Sequence, residues 1–416
     1  MVDIDPSLKV DIFKAKNLNP LENLGLEIQR AIDNPIHSKN LREIIKSKSE
    51  INNVCIVVSD ATRPVPSYLI LESLIPKLNE YGIDNEKITI LIATGLHRKS
   101  QEEELDRILG PKIKNKIKHV DHCAKDENSL KYLGKTKENI PIWINKLYCE
   151  SDLKILTGYV EPHFFFGFSG GAKSIVPGIA GVNTILENHS ARNIASPHAR
   201  FGIFKKNPLA ENSREIVELV GVDFTVNVCI NSNHEIIKVA AGSLEQVHDE
   251  LINFQLKNVF KKITQPYDVV ICGNGGYPLD LNLYQAVKSM AIGELAVKEG
   301  GTIISVNECI DGIGVGQDDF KKLLFSGLEP SKLYQKIING EIKVPDQWEI
   351  QILARVLMKA EIIVVSSLKP EDLGNIGLKH ANSVEEALHE ASLKHGNDMR
   401  VLVLPNGPLI LPKLDD

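Results

Sequence analysis

Reactive and flexible residues are concentrated in the middle of the chain, between Thr157 and His189. His163 precedes an aromatic run, Phe164–Phe168, and two glycines precede a lone lysine, Lys173. Proline and glycine residues follow, and they prevent a long regular helix because proline lacks an N–H group and glycine is flexible. The stretch therefore combines two imidazoles and one amine, groups that move protons, bind metals or form covalent bonds.

Lys173 has three interpretations. It is an ordinary surface or ion-paired lysine, the usual fate of this residue type. Alternatively it grips a phosphate, since Gly167–Ser174 nearly matches G-x-x-x-x-G-K-[ST], with Ala172 in place of the second glycine. A P-loop also needs a long helix after the lysine, and Pro177 argues against one. In the third interpretation the amine reacts covalently, because aromatic and apolar neighbours favour its neutral form.

Polar residues also follow two predicted strands in the first half of the chain. Asp60 and Arg63 come after the apolar run Val54–Val58, and His97 comes after Ile88–Ile92. In sheets of parallel strands, ligands bind beyond the C-terminal ends of the strands. These residues are therefore candidates for one crevice. The alternative is that the Asp–Arg pair braces a turn and that the histidine is structural.

A similar arrangement occurs in the second half. The predicted strand Tyr267–Cys272 ends in a glycine-rich segment, and the following predicted helix carries Tyr284, Gln285 and Lys288. Gln285 and Lys288 are three residues apart, so they are neighbours on one helix face. That face either binds a ligand or is an ordinary solvated surface, where lysine and glutamine are common.

Strands made of continuous apolar residues alternate with predicted helices, such as Pro66–Glu80, Gln101–Leu109 and Asn183–Ile194. This pattern indicates mostly parallel sheets covered on both faces. The length of 416 residues suggests two domains. We predict an α/β fold with domains 1–264 and 265–416, each a mostly parallel sheet flanked by helices, and an active site in the interdomain cleft. Whether the extreme C-terminus packs back on the first domain stays open.

Composition narrows the class of protein. Hydrophobic residues make up 43% and charged residues 25% of the chain, with a net charge of -6, as in ordinary globular proteins. The charge distribution favours neither a nucleic-acid nor a membrane partner. The opening residues Met1–Asp5 do not have a signal-peptide pattern. The six cysteines include no C-x-x-C pair, which together with the composition predicts a cytoplasmic protein with reduced thiols.

Together these residues resemble one known family, the nickel-dependent lactate racemases and their 2-hydroxyacid racemase and epimerase relatives. The order and the separations of several motifs match over nearly the whole chain. These motifs are Ser59–Pro64, Thr94–His97, Glu161–Lys173, His189 and Tyr284–Lys288.

The resemblance implies a role for each matched residue. Lys173 matches the lysine that binds the nickel-pincer cofactor, Ni(II)-pyridinium-3,5-bisthiocarboxylate mononucleotide, through a thioamide. His189 matches the nickel ligand, and His97 and His163 match the paired acid/base residues. The remaining matches are the cofactor-binding residues Asp60, Ala61, Thr62 and Arg63, and the substrate-binding residues Arg63, Tyr284, Gln285 and Lys288. Trp348 is a further candidate near the site.

The implied reaction interconverts the enantiomers of a 2-hydroxy acid, with D- and L-lactate as the first candidates, by hydride transfer through a 2-keto acid. The implied partners are this small acid and the enzymes that make and load the cofactor. Two other functions compete with this one: a P-loop-like nucleotide hydrolase that uses Lys173 and Ser174, and a two-lobed protein that binds small carboxylates without catalysis. An NAD dehydrogenase is disfavoured, because no G-x-G-x-x-G follows the first strand.

Overall fold

The structure, a computed structural model, describes residues 8–415. The prediction that the chain has no signal-peptide pattern concerns residues Met1–Asp5, which lie outside the described part. The strands are β1 (Lys9–Ile12), β2 (Val54–Ser59), β3 (Ile88–Ala93), β4 (Lys118–Asp121), β5 (Leu130–Lys135), β6 (Pro141–Asn145), β7 (Leu153–Tyr159), β8 (Pro162–His163), β9 (Gly167–Phe168), β10 (Phe224–Ile230), β11 (Ile236–Gly242), β12 (Phe260–Ile263), β13 (Tyr267–Gly273), β14 (Val297–Val306), β15 (Glu361–Val365), β16 (Lys379–Ala381), β17 (Arg400–Leu404) and β18 (Leu411–Leu414).

The helices are α1 (Leu24–Asp33), α2 (Leu41–Ser47), α3 (Ser67–Glu80), α4 (Glu102–Lys114), α5 (Lys146–Cys149), α6 (Val182–Asn188), α7 (Ala191–Ala195), α8 (Pro208–Val220), α9 (Leu244–Val259), α10 (Leu283–Glu294), α11 (Asp318–Leu324), α12 (Pro330–Ile338), α13 (Gln347–Lys359) and α14 (Val384–His395). Short 3₁₀ turns also occur, and one of them, Gly171–Ser174, carries Lys173.

One compact unit comprises Asn17–His189 and Ser196–Leu256. Its main sheet has the strand order β11-β10-β7-β2-β3-β4. The strands pair in parallel, except that β11 is antiparallel to β10. The C-terminal ends of β7, β2 and β3 therefore lie side by side at one edge of the sheet, and the loops that carry most of the predicted site leave from this edge.

The central strand β2 explains why this sheet is stable. Its residues Val54, Ile56 and Val58 pack in one hydrophobic cluster with residues of α1, α3 and α4. Cys55 and Val57 point to the opposite face and are also fully buried. Both faces of the strand are thus covered, which is the reason that its sequence is a continuous apolar run.

The other compact unit comprises the described part of Met1–Lys16, the segment Ser190–Ala195, and Lys257–Asp416. Its main sheet has the order β1-β17-β13-β14-β15-β16, and all of these strands pair in parallel. The predicted α/β fold, with mostly parallel sheets flanked by helices, is confirmed.

The units differ from the predicted boundaries at the start of the chain and near residue 257, whereas the end of the chain stays in the unit of the C-terminal half. Strand β1 pairs with β17, with Lys9 opposite Arg400, so the start of the chain joins the sheet of the C-terminal half. Strand β18 pairs in parallel with β12, with Leu411 opposite Phe260, and both strands belong to that same unit.

The helix predicted over Asn183–Ile194 is also different in the structure. It is broken into α6 and α7. His189 follows α6 with φ -90° and ψ 27°, outside helical geometry. The break coincides with the point where the chain passes from one compact unit into the other.

Candidate active site

The loops after β2 and β3 lie side by side because Ser59 and Ala93, the last residues of these strands, are direct partners in the sheet. Asp60 follows the first strand and His97 belongs to the loop after the second. The His97 Nδ1 atom lies 2.6 Å from Asp60 Oδ2. The structure therefore joins two residues that the sequence had only placed at neighbouring strand ends.

Asp60 is buried, and a second hydrogen bond fixes its carboxylate, since Thr62 Oγ1 donates to Asp60 Oδ1 at 2.8 Å. Burial by itself raises the pKa of Asp60, but the charge and hydrogen bond of His97, the charge of Arg63 and the hydroxyl of Thr62 outweigh burial and hold the pKa below its usual value. Asp60 is thus an ionised carboxylate at neutral pH, suited to orienting an imidazole and stabilising its positive form.

The aromatic run forms a cage around the reactive residues of the central stretch. The ring of His163 lies 4.7 Å from that of Phe165 and 6.3 Å from that of Phe166. The ring of His189 lies 5.3 Å and 6.1 Å from the same two rings. Lys173 Nζ lies 5.6 Å from the centre of the Phe166 ring. Phe165 and Phe166 therefore bring both histidines and the lysine into one neighbourhood.

The cage determines the protonation of His189, which is 3% exposed. Burial, and then the positive charge of Lys173, lower the pKa of His189 to about 3. The imidazole is neutral at physiological pH, which is the form that donates a lone pair to a metal ion.

His163 lies in the same apolar surroundings. The backbone N–H of Phe166 donates to His163 Nδ1 at 3.3 Å. The position of the ring is thus set by the short hairpin of β8 and β9, where His163 pairs with Gly167.

Lys173 lies on a turn that depends on two glycines. Gly170 and Gly171 have φ angles of 72° and 57°, in the region that other residues rarely adopt. A Cβ at Gly171 would lie 2.6 Å from His248 Nδ1. The turn is followed by further turns, and the next helix, α6, begins only at Val182. This geometry differs from a P-loop, in which a helix begins at the lysine.

A backbone hydrogen bond joins two loop regions at this sheet edge. The N–H of Gly95 donates to Gly178 O at 3.0 Å, which attaches the loop of His97 to the segment after Lys173.

Tyr159, at the end of β7, donates to Glu161. Burial raises the pKa of Tyr159 well above its usual value, the charge of Glu161 adds to this rise, and the positive charge of Arg63 opposes it. Arg63 thus acts on this pair as well as on Asp60.

The remaining predicted residues lie on α10 of the other unit. Lys288 Nζ donates to Gln285 Oε1, as their spacing of three residues had predicted. Tyr284 makes different contacts: its hydroxyl donates to Asp346 Oδ1 at 3.0 Å and accepts from Trp348 Nε1 at 3.2 Å. Within this unit, Gln285 and Lys288 form one polar pair, while Tyr284 and Trp348 belong to a buried network.

Within residues 8–415, no group of three or more His, Cys, Asp or Glu side chains has an arrangement that could hold a metal ion.

Family profiles match both halves of the chain. The lactate racemase N-terminal domain matches residues 1–202, and the lactate racemase C-terminal domain matches residues 262–411. The chain belongs to the lactate racemase family. Similarity to a racemase extends over nearly the whole chain, and the protein is accordingly an enzyme of the isomerase class.

Two curated lactate racemases are similar to this chain. The protein from Thermoanaerobacterium thermosaccharolyticum is 36% identical over 387 residues, which cover 92% of this chain and 89% of the relative. The protein from Lactiplantibacillus plantarum is 38% identical over 389 residues, which cover 93% and 90% respectively.

Solved structures agree with this assignment. The lactate racemase apoprotein from T. thermosaccharolyticum has a TM-score of 0.89 at 34% identity, covering 99% of this chain and 97% of that chain. A protein from Thermotoga maritima has a TM-score of 0.74 at 18% identity, covering 97% and 100%, and this likeness supports the fold alone. In the described residues, none of the helices has the length and apolar character required to cross a bilayer.

Sequence reasoning missed two residues that support the candidate site. Asn207, fully buried, donates to Phe165 O at 2.9 Å and so anchors the aromatic run to the start of α8. The ring of His248 contacts Ser169 O at 2.8 Å, just before the turn of Lys173. Both residues lie far along the chain from the stretch that they hold. Neither belongs to a motif, so no local signal in the sequence could have found them.

Proposed function

We propose that this enzyme interconverts the two enantiomers of a 2-hydroxy acid, and that lactate is its first candidate substrate. The observation that carries the proposal is the convergence of Lys173, His163 and His189 on the rings of Phe165 and Phe166. The names of the two curated relatives support lactate.

The residues of the cage fit the nickel-pincer cofactor. Burial lowers the pKa of His189 to about 3, so its imidazole is available as a neutral nitrogen donor. Lys173 lies on the glycine turn, with its amine 5.6 Å from the centre of the Phe166 ring and thus beside the ring that also faces His189. We therefore assign Lys173 to the covalent bond with the mononucleotide, His189 to the nickel ion, and Asp60–Arg63 to the remaining contacts with the cofactor.

The cofactor, when bound, supplies a hydride acceptor, which lets the α-hydrogen of the acid leave and return without a carbanion. The protein then has three tasks: to hold the carboxylate of the acid, to move the hydroxyl proton, and to exclude water while the 2-keto acid is present.

We assign His97 to the first proton transfer. Asp60 holds Nδ1 of this ring at 2.6 Å, so Nε2 is the nitrogen that takes the hydroxyl proton of the substrate. The positive imidazolium that results is stabilised by the ionised carboxylate of Asp60. The Asp60–His97 pair thus acts as an oriented general base.

His163 is the second base of the proposal. Two are needed because the enantiomers present their hydroxyl groups to opposite sides of the α-carbon. The backbone N–H of Phe166 donates to Nδ1 of this ring at 3.3 Å and positions the ring beside Phe165. The three phenylalanine side chains of the cage are each at most 4% exposed, and they limit the access of water.

We propose that Arg63 binds the substrate carboxylate, because its planar guanidinium suits a bidentate contact with a carboxylate. The polar pair of Gln285 and Lys288 is assigned to substrate binding as well, with Gln285 fixing the ammonium of Lys288. Tyr284 is assigned to the support of this pair through α10. Its network with Asp346 and Trp348 holds the start of the helix.

The proposal includes the cellular setting. In the described part of the chain all six cysteines are free thiols, which supports a reducing compartment such as the cytoplasm. The partners are the small acid substrate and the enzymes that synthesise and load the cofactor.

The decisive experiment is a chiral assay of cofactor-loaded protein with a panel of 2-hydroxy acids, combined with intact mass measurement. We expect conversion of each enantiomer of at least one acid, and a mass adduct that Lys173→Ala abolishes together with activity. Lys205→Ala, an exposed lysine on the same unit, is the matched control. ATP hydrolysis, or binding without conversion, would support one of the competing functions instead.

A further inference from the structure

Helix α4 contacts the loops that carry both members of the Asp60–His97 pair. Glu104 and Arg107 lie three residues apart in this helix and so share one face. Each of the two side chains reaches a different loop, and neither belongs to a motif that the proposed function uses.

Glu104 holds the loop after β3. Arg98, the residue next to His97, donates through Nη1 to Glu104 Oε2 and through Nη2 to Glu104 Oε1, both at 2.8 Å. This two-pronged geometry is the strongest form of a carboxylate–guanidinium contact. Burial raises the pKa of Glu104, but the hydrogen bonds from Arg98 and from the backbone of Gln101 outweigh it, and the pKa stays below its usual value. Glu104 is 6% exposed, so this ion pair is shielded from solvent on the carboxylate side.

Arg107 holds the loop after β2. Its guanidinium donates to two backbone carbonyls of that loop, Ala61 O and, at 3.3 Å, Arg63 O. Within the loop, Arg63 N–H donates to Asp60 O at 3.2 Å. Pro64 follows and has no N–H group that could donate to the helix. The loop is therefore attached to α4 through its carbonyl groups, which accept from Arg107.

The helix is a firm base for both contacts. The backbone N–H of Gln101 donates to Glu104 Oε2 at 2.7 Å and closes the first turn. Ile108, Leu109 and Ile113 pack in the hydrophobic cluster of the sheet. A shift of α4 would therefore move both loops together, while loss of one contact would move one loop relative to the other.

We infer that Glu104 and Arg107 are positioning residues. They hold the two loops at the relative position that allows Asp60 to contact His97. The hydrogen bond between Asp60 and His97 exists without substrate, so the positioning role does not depend on the proposed function. Only the expected effect on the reaction rate rests on the proposed function. Glu104 acts on the pair through Arg98, and Arg107 acts on it through the carbonyl groups of Ala61 and Arg63.

The test is a nuclear magnetic resonance measurement on the full-length protein labelled with [15N]histidine. A ring N–H that donates to a carboxylate at short distance gives a downfield proton signal, and the signal of His97 is assigned by its loss in His97→Asn. We expect Arg107→Met and Glu104→Gln to remove this signal or shift it upfield. Lys112→Met is the matched control and keeps the signal; this exposed lysine lies in α4 just beyond the kink at Gly110 and pairs with Glu72 at 3.6 Å.

A second measurement determines the racemisation rate of the same variants as cofactor-loaded protein. Misplacement of a catalytic group by a distant change lowers the rate by up to about 100-fold, and we expect losses of this order in kcat for both variants. If Arg107→Met does not fold, Arg107→Lys replaces it. Lysine keeps the charge and loses the planar fork, so the downfield signal should weaken.

An unchanged downfield signal in both variants overturns the inference, even if thermal stability falls, because a merely structural role would not involve this hydrogen bond. The two proposals fail separately. Absence of racemisation in wild-type loaded protein rejects the proposed function, whereas the magnetic resonance signal is measured without turnover and reports only the positioning.

Discussion

Asp60 Oδ2 lies 2.6 Å from His97 Nδ1, and the two residues extend from adjacent parallel strands that are in register up to their last residues. A carboxylate that is buried yet ionised faces one nitrogen of the imidazole and leaves the other for substrate. This relationship is the basis of the first prediction.

Asp60→Asn should lower racemisation by about 100-fold to 1000-fold, because the amide neither stabilises the imidazolium of His97 nor enforces its tautomer. Rates in both directions should fall together, as equilibrium between enantiomers requires. The measurement is a chiral assay of loaded protein, with the mass adduct on Lys173 as proof of loading.

Thr62→Val is the matched control for Asp60→Asn, since it removes only the hydroxyl that donates to Asp60 Oδ1 at 2.8 Å. A smaller loss is expected from this variant. Equal losses in the two variants would contradict the assigned role of the carboxylate.

The second prediction concerns the two proposed bases. His97→Ala and His163→Ala should each reduce racemisation by about 100-fold or more in both directions, because one ring takes the hydroxyl proton and the other returns it. Adduct formation on Lys173 should persist in both variants, since neither ring is assigned to the covalent bond. Near-normal rates in both directions for either variant would show that one base is sufficient.

The third prediction concerns Gly171, whose φ of 57° and close approach to His248 leave no room for a side chain. Gly171→Ala places a Cβ 2.6 Å from His248 Nδ1. We expect a loss of about 1–3 kcal/mol in the free energy of unfolding from backbone strain, with more from the collision. Displacement of the turn should also reduce the adduct yield on Lys173. Chemical denaturation and intact mass measure the two effects.

Gly221→Ala is the control for this variant. Gly221 has a φ of 75°, but a Cβ there meets nothing within 4 Å. It therefore carries the backbone strain without the collision. If Gly221→Ala and Gly171→Ala lose equal stability, the contact with His248 is unimportant.

The fourth prediction is a pH dependence of stability. Burial lowers the pKa of both His122 and His248 to about 4 from the usual 6.5. Between these values the unfolded chain binds protons that the folded protein does not, so the free energy of unfolding falls as the pH decreases. The expected loss is about 3 kcal/mol for each histidine between pH 7 and pH 4. Urea denaturation at a series of pH values measures it.

His248→Gln should reduce this pH dependence, because glutamine does not titrate and its amide still donates to Ser169 O. The matched control is His389→Gln, which changes an exposed imidazole on α14. An unchanged slope in His248→Gln would mean that the buried imidazole of His248 is not neutral in the folded state.

The sequence by itself determined the main strands and the residues that carry chemistry. The run Val54–Val58 became β2, which ends one residue later at Ser59, and Ile88–Ile92 became β3, which ends at Ala93. A strand buried on both faces needs apolar residues at every position, so this signal is local and complete in the sequence. Polar residues immediately after such strands then lie at the same sheet edge, which is why Asp60 and His97 could be placed together.

Only the tertiary structure decided which distant residues support the site and where the units divide. Strand β1 joins the sheet of the C-terminal half across nearly 400 residues, and the predicted helix Asn183–Ile194 breaks after Asn188. Glu104, Arg107 and Asn207 hold site loops through side-chain contacts to other segments. Hydrophobic periodicity reports how a segment meets the core, but it contains no information about which distant segment a polar side chain contacts.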